Sequence, residues 1–95
     1  MRNSVAQLVA LGQLPSEASA TVQCVQEFET LLKAIEPPLT KYEALAVLNV
    51  FGQDGCFGLA WSLLHLVETA PGWPFAEARL HKANPWVKSM LERAE

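Results

Sequence analysis

Cysteine is nearly absent from this chain: Cys24 and Cys56 are the two thiols in 95 residues. Two thiols do not make the multi-bridge framework of small secreted domains, and no CxxC pair or Cys/His cluster has zinc spacing. We expect both to be reduced and to act as small apolar side chains, a single bridge being the alternative. Charge is sparse too, at 18% against 51% hydrophobic residues, a balance that excludes a disordered chain. Positive charge is the scarcer sign, with seven Lys and Arg against ten Asp and Glu for a net −3. The cationic face that nucleic acid requires is therefore not expected. The longest apolar run covers residues 56–67 and contains His65. It falls well short of the ~20 residues of a membrane helix, so no membrane partner is expected. No repeat, low-complexity tract or strand-period run appears.

What is present is helical periodicity. A first helix is predicted over about residues 4–11, with Val5, Leu8 and Val9 on one face and Asn3 or Ser4 as its cap. A second is predicted from just after Ser16 to about residue 36. There Val25, Phe28, Leu32 and Ile35 make one apolar stripe, Glu29 and Lys33 form an i,i+4 pair, and Pro37-Pro38 stops the helix. Thr40 followed by Glu43 is a capping-box pattern, which starts a third helix running to about Phe51. The turn Gly52-Gln53-Asp54-Gly55 leads into a fourth helix over about residues 56–69, apolar on nearly every side. Such a helix is expected at the centre of a fold, covered by its neighbours. A short helix over about residues 75–82 follows. Asn84 then caps a last helix with Pro85 at its first position. The expectation is one all-α domain over residues 1–95, a compact bundle of five to six helices around the segment 56–69. The start is loosely signal-like, with Arg2, an apolar stretch and Ala18-Ser19-Ala20. Gln7, Gly12 and Gln13 interrupt it, so we read it as part of the fold and expect a cytoplasmic protein.

Chemistry is thinly represented. Cys56, at the predicted start of the fourth helix, is placed where a helix N-terminus lowers a thiol pKa. His65 lies nine residues on, about 13 Å along the helix and on its other side, and does not serve as its base. His65 and Glu68 have the i,i+3 spacing of two metal ligands, but no second cluster completes a site, and a local pairing is the plainer role. The GQDG turn lacks the Lys-Ser/Thr of a phosphate loop. The third and fourth helices have a helix-turn-helix outline, yet the second of them carries no Arg or Lys between residues 56 and 69. No catalytic, cofactor-binding or metal-ligating set emerges.

What stands out is aromatic. Trp73 and Phe75 flank Pro74, and Trp86 follows Pro85. Either these anchor the C-terminal segments to the core, or they form a patch for a partner protein. Acidic Glu27, Glu36 and Asp54 are candidates for steering such a partner. The first expectation is a non-enzymatic protein-binding module, of a size and acidity that would suit an immunity-like protein or inhibitor masking a partner. The alternatives are a small thiol-dependent enzyme or redox protein using Cys56, and a structural subunit or homodimer.

Overall fold

The helices that start at Val22, Lys41 and Pro85 follow local capping chemistry, whereas the first starts at Asn3 after Arg2 with no side-chain cap, not behind a capping Asn3 or Ser4. The computed structural model describes residues 1–94. Among them the chain is all-helical, with no strand: α1 Asn3–Ala10, α2 Val22–Ala34, α3 Lys41–Val47, α4 Leu59–Glu68 and α5 Pro85–Ala94, plus 3-10 segments at Leu48–Val50 and Ala76–His81. The capping box at the start of α3 is complete: the Thr40 hydroxyl accepts the Glu43 N–H at 3.1 Å, and Glu43 Oε1 accepts the Thr40 N–H at 3.0 Å. Asn84 caps α5 as expected, its Oδ1 accepting the Trp86 N–H at 2.9 Å and its carbonyl the Lys88 N–H at 3.0 Å.

Three boundaries differ from expectation. Helix α2 begins at Val22, not just after Ser16, because Thr21 is the cap that accepts the Cys24 N–H. The residues before it close a separate turn in which Ser16 and Ser19 hydroxyls meet at 2.8 Å and the Ser16 carbonyl accepts the Ser19 and Ala20 N–H groups. Serine side chains offer the backbone this alternative to a helix. Helix α3 tightens into the 3-10 segment at Leu48 rather than running evenly to Phe51. Helix α4 starts at Leu59 rather than at residue 56, because Cys56, Phe57 and Gly58 have φ values of 43°, 54° and 88°. Three consecutive left-handed residues cannot belong to a right-handed helix. The predicted helix over residues 75–82 is the 3-10 segment Ala76–His81.

One buried cluster holds the described residues together, and α4 supplies more of it than any other element: Leu59, Ala60, Leu63, Leu64, Leu66 and Val67. Val5 and Leu8 of α1, Phe28 of α2, Ala44 and Val47 of α3, and Val87, Met90 and Leu91 of α5 close around it. The radius of gyration, 12.4 Å, is that of a folded globule of this length, about 12 Å. The covering of α4 is incomplete. Trp61, Ser62 and His65 form an outward strip, and Trp61 is 51% exposed. No helix among the described residues is long and apolar enough to cross a membrane.

One carboxylate lies in the core. The Glu43 side chain accepts Arg2 Nε at 3.0 Å, Arg2 Nη2 at 3.2 Å and the Arg2 backbone N–H at 3.1 Å. The same guanidinium donates to the Glu36 and Pro38 carbonyls, which ties the first residues of the chain to the connection between α2 and α3. The Arg2 guanidinium, helped by the Thr40 and Arg2 backbone N–H groups, holds the Glu43 carboxyl at about 2 although burial pushes it the other way. A buried charge satisfied on all sides by donors fixes geometry more than it adds stability.

Candidate functional site

The residues singled out by sequence fall into two sets. Trp73 and Phe75 pack edge to face, with ring centroids 5.6 Å apart. Phe75 is buried, and Lys41 Nζ lies 5.5 Å over its ring while bonding Glu77 at 2.7 Å. Trp73 is half-buried, with its Nε1–H enclosed and unpartnered. These two rings anchor the segment after α4 to the core. Trp86 is also half-buried, stacked 6.4 Å from Phe51 and edge-on to Trp61 at 5.3 Å. Glu27 is exposed on α2. Glu36 is exposed too, and its carbonyl is taken by Arg2.

Asp54 has a structural task. Its Oδ1 accepts the Cys56 N–H at 3.0 Å and its Oδ2 the Glu17 N–H at 3.1 Å, while Glu17 Oε2 accepts the Phe57 N–H at 3.2 Å. Two carboxylates thus clamp the loop 52–58 to the segment before α2. Around them, the Leu14 N–H donates to the Val50 carbonyl, and Gln13 and Asn84 side-chain amides donate to the Phe51 carbonyl. A Cβ at Gly52 would collide with the Leu14 carbonyl oxygen, so glycine is required where the two segments cross.

The clamp has a geometric result. It holds Cys56 and Phe57 in left-handed conformations, a region that costs a non-glycine residue about 1–2 kcal/mol. In that turn Cys56 points inward and is fully buried, while Phe57 is turned out and is 62% exposed. Across from it stands Val22, the first residue of α2, 75% exposed. Between them lies an open cleft of about 260 Å³ lined by Ala20, Thr21, Val22, Val25, Gln26 and Phe57. A second cleft, of about 330 Å³, continues along α2 and shares Gln26, with Gln23, Glu27, Thr30 and Leu31 as its other walls.

The same turn removes Cys56 from the position in which a helix N-terminus would activate it. Burial pushes its thiol pKa up, and the Asp54, Cys24 and Glu17 charges push it further. A thiol kept protonated inside the core is a weak nucleophile. Both cysteines are free. The Glu68 carboxylate lies 3.9 Å from His65 Nδ1 and 3.7 Å from Arg93. No group of three or more His, Cys, Asp or Glu among the described residues is placed to hold a metal.

A helix over residues 56–69 covered by its neighbours would enclose Phe57 and Trp61, whereas the structure leaves them 62% and 51% exposed. The available signal was the pair Gly55 and Gly58 on either side of Cys56-Phe57, since glycine spacing of that kind marks a turn rather than a helix start. No family model matches this chain, and no solved structure matches it.

Proposed function

We propose that this chain is a non-enzymatic protein-binding module that acts by occupying a partner protein's surface. Its docking face is the start of α2 together with Phe57. The observation that carries this reading is the pairing of two well-exposed apolar side chains, Val22 and Phe57, across an apolar cleft. One of the two is held outward by strained backbone that two carboxylates fix in place. Strain retained at an exposed aromatic residue is a feature of recognition sites. The mildly acidic charge and the size suit an inhibitor-like or immunity-like role, and two free thiols suit a cytoplasmic location. The thiol-enzyme alternative has the buried, protonated Cys56 against it.

A comparison of two exposed apolar residues tests the reading. Leu80, at 86% exposure, lies on a different segment from Phe57. Phe57→Ser should abolish co-purification of a partner protein from the native cell while Leu80→Ser leaves it intact. A partner retained by Phe57→Ser, or no partner for the wild-type chain, would count against it.

A further inference from the structure

We infer that the segment received by this face is basic: a Lys- or Arg-flanked stretch of a partner protein that seats one apolar side chain between Val22 and Phe57. The inference rests on the protein-binding reading above and specifies the chemistry of the partner. The cleft, at about 260 Å³, is smaller than the roughly 300–1,000 Å³ of sites that enclose small molecules. It is open and walled by alanine, valine and phenylalanine carbon. Of its two polar residues, Thr21 already has its hydroxyl engaged by the Cys24 N–H. The site therefore offers apolar contact for a side chain and no fixed counter-charge for an ion.

The surroundings set the sign. Residues 17–31 and 52–58, which supply the cleft walls and the clamp, contain Glu17, Glu27, Glu29 and Asp54 and no Lys or Arg. Glu29 is matched by Lys33 at 2.8 Å. Glu17 and Asp54 accept backbone N–H groups in the clamp, and among the described residues neither forms an ion pair that the structure shows. Glu27 is exposed in the adjoining cleft. An apolar cleft flanked by the Glu17–Asp54 clamp behind Phe57 and by Glu27 in the adjoining cleft is complementary to an apolar anchor with basic flanks. The same field repels phosphate-bearing surfaces, which makes a basic protein segment the occupant rather than a nucleic acid or an anionic membrane.

The test uses three short synthetic peptides titrated into the isotopically labelled full chain: Lys/Arg flanks with a central Leu, the same flanks with Ala at the centre, and Glu flanks with the central Leu. Binding is followed by amide shifts. The Leu peptide with basic flanks should shift Val22, Val25, Gln26 and Phe57, and should weaken as added salt screens the charges. Affinity should fall at least about tenfold for the Ala peptide, and likewise for the Leu peptide with Phe57→Ser, as for an interface anchor. Equal or tighter binding of the Glu-flanked peptide at the same amides would overturn the basic-partner inference and leave the docking face standing. Shifts confined to other residues and unchanged by Phe57→Ser, or no shifts with any of the three, would overturn the face itself. Phe57→Gly, which removes the ring without forbidding the left-handed backbone, guards against a folding defect.

Discussion

Helices α4 and α2 both carry apolar stripes, yet they stand at opposite ends of the energy scale of this molecule. Helix α4 buries six of its ten residues and α2 one of its thirteen. The stripe Val25, Phe28 and Leu32 of α2, continued by the buried Ile35 just past its end, is spaced as a core stripe should be. Phe28 is fully enclosed, whereas Val25 and Leu32 remain partly open and Val22 is exposed. Each fully buried aliphatic side chain contributes about 1.5–3 kcal/mol, so α4 holds the fold while α2 is held by it. A helix that contributes little to stability can keep apolar side chains at the surface for another molecule.

The largest expected effect falls on α4. Leu64→Ala should cost about 2–5 kcal/mol through lost transfer energy and a cavity, a fall in melting temperature on the order of 10–30 °C for a domain of this size. An unchanged melt would mean that α4 is not the centre of the fold. The next effect is on Glu43. Its carboxyl binds a proton less readily when folded, at about 2, than at the ordinary value of 4.5. The unfolded chain therefore takes up the proton first as pH falls. The stability that Glu43 contributes is present above pH about 4.5 and lost as pH drops from there towards about 2. Acid titration of the melting temperature should show this decline, and Glu43→Gln should flatten it. A smaller effect follows at α3: Thr40→Ala should cost about 0.5–2 kcal/mol by freeing the Glu43 N–H, read as a shift in the urea midpoint.

The parts of this contrast that were legible in the sequence are those with local causes. The Thr40–Glu43 box and the Asn84 cap act over two to four residues, and Leu63 and Leu64 sit in an apolar run too dense to face water. The end of α2 before Pro37-Pro38 is equally local. The start of α4 is not. Phe57 is turned outward by Glu17, forty residues earlier, and by Asp54, which sits in the GQDG turn and bridges two loops. Trp61 escaped for a related reason. An apolar helix is central only if neighbours cover every side, and the packing here leaves the Trp61, Ser62 and His65 strip open. Periodicity reports which face is apolar, not whether the chain has another element to lay over it. Trp73, Phe75 and Trp86 stand out in the sequence as aromatics beside prolines, but whether such a residue anchors or recognises is decided by contacts across the fold.

The smallest expected effect is at Phe57, and it separates the two regions most sharply. Glycine removes the cost of the left-handed conformation while adding backbone entropy to the unfolded chain. The net change in stability for Phe57→Gly is thus expected within about 1 kcal/mol and of either sign. The decisive measurement is a thermal melt of Phe57→Gly beside Leu64→Ala and the wild type. A Phe57→Gly transition within a few degrees of wild type, as sharp as wild type, is expected for an exposed recognition residue on a loop that the Asp54 and Glu17 clamps hold without its ring. A fall as large as that of Leu64→Ala would place Phe57 among the residues that hold the fold together and would contradict the division between a stabilising α4 and a face kept free for binding.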